Sequence, residues 1–355
     1  MNLLTALTAA LAFIISISLT GWFRRYALKD GLLDVPNERS SHVTPTPRGG
    51  GVAIVIAVLV ALPILGALHV AEWQTVKGLI TAGILAAGIG YADDRAQVPL
   101  LVRLLVQFAA AASIVVYVGY GPVLQAIPAL TAFAWVGAVL AVLYLVWMLN
   151  LTNFMDGIDG IASLEAISIC AGTALCVLFA ATVVDPLADA LTVGAALLRR
   201  DSAVAVAAVL AAASLGFLRW NWPPAKIFMG DAGSGFLGVL LGALSLIAGR
   251  VQPNLMWSCA ILAGVFVVDA TTTLFRRIAR REKFYHAHRS HAYQHAAQRY
   301  GHMRVTVTVG VINVCWLLPW ALLAARGTLH GAVAMALAYI PLLAAALRFK
   351  AGLPD

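Results

Sequence analysis

The sequence predicts an all-α, polytopic membrane protein, one domain over residues 1–355 that crosses the bilayer about eleven times, with ten as the lower count. Three observations predict it. Only 11% of residues are charged and 61% are apolar, with a mean hydropathy of +0.89; a soluble domain carries about 25% charged residues. Apolar stretches of roughly 20 residues recur from one end to the other, each long enough to span a ~30 Å hydrocarbon layer as a helix. No polar stretch is long enough to build a separate soluble domain.

The expected spans are 3–22, 51–70, 76–92, 100–118, 130–149, 160–183, 202–219, 235–249, 255–275, 304–325 and 331–347. Residues 184–201 are polar enough for an external loop, with 187–198 as a candidate short interfacial helix. The first 21 residues contain no Lys or Arg, so the charged start of a signal peptide is missing. Cys170, Cys176, Cys259 and Cys315 all fall in apolar spans and read as packing residues rather than a disulfide or metal framework.

Orientation follows from the basic residues, which concentrate in cytoplasmic loops. With the N-terminus periplasmic, one set of loops holds 19 of the 24 Lys and Arg, and the other holds Lys77, Arg199, Arg200, Arg250 and Arg326. That split predicts a periplasmic N-terminus and a cytoplasmic C-terminus. The net charge of +8 mostly reflects this rule and gives no ground for a nucleic-acid partner.

Acidic residues are scarce, so their positions are informative. Asp93, Asp94, Asp156, Asp159 and Asp231 lie at the expected cytoplasmic ends of spans, and Asp269 lies within one. An Asp in a membrane helix costs about 2.5–3.5 kcal/mol on insertion scales, and such groups are usually functional. The segments 45–51, 93–99, 150–160 and 221–235 each precede an even-numbered span, so several helix N-termini face one surface and favour a polyanion such as a diphosphate. The glycines of 49–51 and 230–235 allow close backbone approach. Anion and carboxylates can share such a site through a cation. The oxygen set of Asn153, Asp156, Asp159 and Asp231 suits Mg²⁺ or Mn²⁺ better than zinc.

The longest expected cytoplasmic loop, 276–304, is rich in Arg and carries His286, His288, Arg289, His291 and His295. It reads as a clamp for phosphate and sugar through charge-assisted hydrogen bonds. A solvated basic loop beside anionic lipid is the plainer reading. A zinc site through His291 and His295 lacks a suitably spaced third ligand.

The segments Asn153-Phe-Met-Asp156-Gly-Ile-Asp159-Gly160, Asp93-Asp94 and Phe228-Met-Gly-Asp231-Ala-Gly-Ser234 resemble, in order and spacing, the signature blocks of the polyprenyl-phosphate N-acetylhexosamine-1-phosphate transferases (glycosyltransferase family 4). The resemblance covers nearly the whole chain. It implies transfer of a sugar 1-phosphate from a UDP-N-acetylhexosamine to undecaprenyl phosphate in the bacterial inner membrane, with the active site on the cytoplasmic face. The family's Mg²⁺ ligands match Asn153 and Asp231, its acidic pair matches Asp93 and Asp94, and a basic phosphate-binding position matches Arg103 by spacing. The early Lys that precedes the Gly-rich loop in the peptidoglycan branch has no Lys counterpart here, and His42 or Arg48 would fill that role.

Within the family, Pro36–His42, Asn221-Trp-Pro-Pro224 and His288-Arg-Ser-His291 are similar to the O-antigen-initiating branch, which uses GlcNAc, FucNAc or QuiNAc 1-phosphate. The peptidoglycan branch, phospho-N-acetylmuramoyl-pentapeptide transferase, is the alternative; its run of three His is not found in this loop. An ion-coupled transporter is the rival from another class, but transporter sites lie near the bilayer midplane. The sequence leaves open whether the chain works alone or as a homodimer.

Overall fold

A computed structural model describes residues 2–31, 33–34, 45–127, 131, 133–180, 190–282 and 288–353. In lipid every backbone polar group needs an internal partner, which a helix supplies within its own segment. The described residues follow that rule. Helix α1 (Leu3–Asp30) is followed by a two-residue antiparallel pair, β1 (Leu33–Asp34) with β2 (Thr46–Pro47), Leu33 opposite Pro47. Next come α2 (Val52–Ala67), α3 (Trp73–Ala96), α4 (Leu100–Tyr117), the short α5 (Gly121–Ala126), α6 (Ala134–Met155), α7 (Ile161–Phe179) and α8 (Ala190–Asn221). The chain ends with α9 (Asp231–Val251), α10 (Asn254–Leu262), α11 (Gly264–Ala279), α12 (Ala292–Tyr300), α13 (His302–Ile312), a π segment (Asn313–Leu317), α14 (Leu318–Ala325) and α15 (Gly331–Arg348).

Among the described residues nine helices are long and apolar enough to cross a membrane, or ten if α10 and α11 form one broken span. The protein is an all-α polytopic membrane protein. Among the described residues the count by length and composition sits below eleven because α2 has only 16 residues, and because the expected span 255–275 bends by 72° between α10 and α11. The Tyr339 hydroxyl donates to the Ala260 carbonyl at 2.5 Å, close to that break. The expected external loop 184–201 is helical from Ala190 onward, continuous with the following span in α8. The long basic loop is shorter than the sequence implies, because α11 runs to Ala279 and α12 starts at Ala292.

Helix α9 is the centre of the bundle. Every residue from Ala232 to Gly249 is buried, whereas lipid-facing helices such as α4 expose much of their surface. Membrane helices gain little from hydrophobicity against lipid, so close packing through small residues brings them together. A Cβ at Gly238 would sit 2.6 Å from the Met148 carbonyl of α6, and one at Gly90 of α3 would sit 2.4 Å from the Asp231 carbonyl. These two contacts draw α3 and α6 against α9, bringing the ends that carry Asp93, Asn153 and Asp231 together.

Candidate active site

At one end of the bundle the chain between β2 and α2 pairs with the turn before α9. Phe228 N donates to Pro47 O (2.8 Å), Gly50 N to Phe228 O (2.9 Å) and Gly51 N to Met229 O (2.9 Å). Gly230, at φ +77°, turns the chain so that Asp231 becomes the first residue of α9. A side chain on Gly230 would also meet the Asp94 carboxylate, 2.8 Å from its Cβ.

The acidic pair divides its work. Asp94 accepts from the backbone N–H of Asp231 (3.2 Å) and Ala232 (3.3 Å) and pairs with Arg48, so its carboxylate caps α9. Asp93 pairs with Arg103 of α4 and accepts from Val98 N at 2.8 Å. Arg48 also stands 3.7 Å from Asp231. Asp156 is half-buried in the turn after α6. Burial, then the charges of Asp231 and Asp94, holds its carboxyl well above the usual carboxylate range, and Arg48 offsets only part of this.

Asp159 serves the loop itself. Its carboxylate accepts from Ala225 N (3.0 Å) and lies 3.2 Å from His302 Nδ1, while its carbonyl accepts from Thr306 Oγ1 (2.8 Å). Gly160 N donates to Asn221 Oδ1, and Asn221 Nδ2 to Ile227 O, both at 2.9 Å. These bonds tie the turn after α6 to the turn before α9 and to α13.

Asp269 of α11 organises the histidine loop. It accepts from Ala292 N (3.0 Å) and Tyr293 N (2.9 Å), the open first turn of α12, and stands 3.2 Å from His291 Nδ1. Tyr293 donates its hydroxyl to Phe154 O at 3.0 Å, fastening α12 to the end of α6. The rings of His288 and His291 stack with centroids 5.0 Å apart. Burial, then the charges of His291 and Arg277, pushes His288 from 6.5 down to about 4.

A cavity of about 680 Å³ opens between α3, α4, α6, α9 and this loop. Asp93, Arg103, Asn153, Asp231, His288 and His291 line its polar end; Leu104, Leu143, Val146 and Trp147 continue it along the helices. Arg48, Asp94, Asp156, Asp159 and Arg289 stand outside the wall. The residues expected to form one site therefore separate into a cavity set and a supporting set. His286 and all of 36–42, His42 included, lie outside the described residues. Sequence reasoning missed Gln107 and Asn150, which also line the cavity. Their signal was spacing, one amide four residues after Arg103 and the other three before Asn153, each on the same helical face.

The residues fit a hard divalent cation. Asp94 and Asp231 share one arginine, Arg48, and their charges help hold the nearby Asp156 carboxyl up, which marks an excess of negative charge at this corner. Asn153 Oδ1 accepts a hydrogen bond from Ser234 at 3.1 Å, and as an amide oxygen it keeps a second lone pair. Among the described residues no three His, Cys, Asp or Glu side chains converge as a metal cage. A pair such as Asn153 and Asp231 completed by substrate oxygens and water matches the coordination habits of Mg²⁺.

Residues 76–249 match the sequence profile of glycosyl transferase family 4. The chain is 32% identical to the decaprenyl-phosphate N-acetylglucosaminephosphotransferase of Mycolicibacterium smegmatis, over 78% of this chain and 70% of that one. It is 31% identical to the "Probable undecaprenyl-phosphate N-acetylglucosaminyl 1-phosphate transferase" of Bacillus subtilis, over 79% and 75% of the two chains. Similarity to the phospho-N-acetylmuramoyl-pentapeptide-transferase of Kocuria rhizophila is 29% over 67% of this chain and 71% of that one. With blocks at Asp93-Asp94, Asn153–Gly160 and Phe228–Ser234 gathered at one end of the bundle, the chain belongs to glycosyl transferase family 4, the polyprenyl-phosphate N-acetylhexosamine-1-phosphate transferases.

Proposed function

We propose that this enzyme transfers an N-acetylhexosamine 1-phosphate, of the GlcNAc, FucNAc or QuiNAc type, from a UDP-sugar to undecaprenyl phosphate. It thereby initiates O-antigen or another surface polysaccharide. The observation that carries the reading is the cavity itself: Asp93, Arg103, Asn153 and Asp231 at one end, a wall of Leu, Val and Trp side chains beyond. A ligand that fits both parts has a phosphate head and a long apolar tail. The charge asymmetry of the loops supports a polar end facing the cytoplasm of a bacterial inner membrane, the side on which nucleotide sugars are made. An impermeant maleimide should then fail to label a single Cys at the Asp93 or Asp231 loop in intact cells; labelling there would reverse the topology.

In the reaction an oxygen of the lipid phosphate attacks the β-phosphorus of the UDP-sugar. The bond from that phosphorus to the bridging oxygen breaks, and UMP leaves with the electron pair. Asn153 and Asp231 are the residues that would hold Mg²⁺, which when bound neutralises the diphosphate charge. Arg103 and His291 bind phosphate oxygens at the cavity wall, and Asp93, paired with Arg103, faces the lipid phosphate and accepts its proton. Asp94 and Arg48 hold Asp231 in place from behind. Charge neutralisation and positioning are what phosphoryl transfer chiefly requires. Purified protein given undecaprenyl phosphate, Mg²⁺ and a panel of UDP-N-acetylhexosamines should release UMP with at least one donor. Release of UDP, or no turnover with any donor, would overturn the reading.

A further inference from the structure

Below the carboxylates, the cavity wall contains two amides that no step above uses. Gln107 is 8% exposed and lies one turn of α4 beyond Arg103, about 6 Å deeper along the helix axis. Asn150 lies three residues before Asn153 on α6. Around them stand Leu104, Val146 and Trp147, so this is a polar spot in an otherwise apolar stretch. Polar side chains inside a membrane protein are expensive and usually functional.

The hydrogen bonds fix which way each amide faces. Val146 O accepts from Asn150 Nδ2 at 2.8 Å, which settles the nitrogen end of Asn150. The second N–H of that nitrogen donates to Gln107 Oε1, also at 2.8 Å. The acceptor end of Gln107 is thereby taken by Asn150. Its donor end, Nε2 with two N–H groups, has no hydrogen-bond partner among the described residues and belongs to the cavity wall. Nε2 is not sealed in the interior: it keeps surface open to the cavity, so its two N–H groups are available to an acceptor that enters there.

We propose that Gln107 binds the phosphate of the polyprenyl carrier through Nε2, and that Asn150 is the positioning residue that aims it. This rests on the function proposed above and specifies where the lipid head sits. Depth favours the carrier over the sugar nucleotide. A water-soluble nucleotide enters at the end lined by His288 and His291, whereas the first polar atoms on an isoprenoid tail running up the apolar wall are its phosphate oxygens. Neutral amide donors also suit this depth, because they bind an anion without burying a further charge.

Equilibrium binding of radiolabelled undecaprenyl phosphate to the full-length protein in nanodiscs, without nucleotide sugar, tests this directly. Undecaprenol, which has the same tail and no phosphate, is the control. Gln107→Leu should weaken undecaprenyl phosphate binding on the order of 10-fold or more, the scale of a hydrogen bond to a charged group. Undecaprenol binding and the KM for the UDP-sugar should change less than about twofold, since neither touches Nε2. Gln107→Glu keeps the size and the acceptor for Asn150 but removes the donors, and carries the same expectation if the Leu variant fails to fold. Asn150→Asp turns a second acceptor toward Gln107, reverses its amide and should act in the same direction. Undecaprenyl phosphate binding unchanged by both Gln107 variants would overturn the proposal. So would an equal loss for undecaprenol, which indicates a damaged wall, or a rise in KM confined to the UDP-sugar, which puts the amides on the sugar. If Gln107 governs undecaprenyl phosphate binding but no UDP-sugar yields UMP, the donor reading fails while this one stands.

Discussion

The carboxylate of Asp94 accepts hydrogen bonds from the backbone N–H of Asp231 at 3.2 Å and of Ala232 at 3.3 Å, so the end of α3 caps the helix that carries the proposed metal ligand. The second member of the acidic pair is thus a support for Asp231, while the first, Asp93, faces the cavity. Asp94→Ala should lower stability by about 1–2 kcal/mol, the usual cost of a lost helix cap. Asp94→Asn, which keeps one acceptor oxygen, should lose less. Thermal midpoints in detergent compare the two; equal midpoints for wild type and Asp94→Ala would contradict the capping role.

Asp231→Asn keeps the shape of the side chain and removes its charge. Turnover should fall by about 10³-fold or more, the scale seen when a principal electrostatic element is lost. Stability should change little, because Asp231 stands at the polar end of the cavity. Asn153→Ala should act in the same direction but less severely, since a neutral ligand is lost. UMP release across a Mg²⁺ titration measures both, with size-exclusion profiles confirming folded protein. Near-normal turnover of Asp231→Asn at ordinary Mg²⁺ would move the metal elsewhere.

Asp159 predicts a different pattern. Its carboxylate joins Ala225 N and His302 across two turns and does not line the cavity. Asp159→Ala leaves a backbone N–H unpaired and should cost about 1–3 kcal/mol of stability. In the folded fraction, KM for either substrate should stay close to wild type. A large rise in KM with an unchanged thermal midpoint would make Asp159 a substrate contact instead.

His288 gives the pH dependence. Its folded value is lowered from 6.5 to about 4, chiefly by burial. As pH falls through 6.5 the unfolded chain takes up a proton that the folded protein refuses until about 4. Stability tied to His288 is therefore present above pH 6.5 and is lost progressively between 6.5 and 4. His288→Gln should flatten that part of a plot of thermal midpoint against pH. A slope identical to wild type would show that His288 titrates normally.

Much of the architecture was legible because lipid makes hydropathy a direct signal of helices. Where the described helices depart from the expected spans, the causes are local. The expected span 255–275 breaks because its helix bends at Ala263, which hydropathy does not register. Residues 190–201 look like a loop by polarity, yet they form the first turns of the helix that continues into the apolar span. At the site, sequence pointed to the carboxylates, and the resemblance set Asp231 apart from Asp159 as a metal ligand, but nothing separated Asp93 from Asp94. Which oxygen faces the cavity and which caps a helix depends on how α3, α9 and α13 meet, and no spacing within one segment encodes that. Gln107 and Asn150 escaped notice because a neutral amide in an apolar span looks like tolerated polarity until its partner on another helix is seen.

The most direct test of the proposed reaction follows the two phosphorus atoms of the donor. The protein, with undecaprenyl phosphate and Mg²⁺, is given a UDP-N-acetylhexosamine labelled with ³²P at either the α or the β position. The account predicts that the β label moves into the solvent-extracted lipid while the α label is released as UMP, because the bond between the two phosphates is the one that breaks. Both labels leaving together as UDP would mean that the sugar alone is transferred, and would contradict the account.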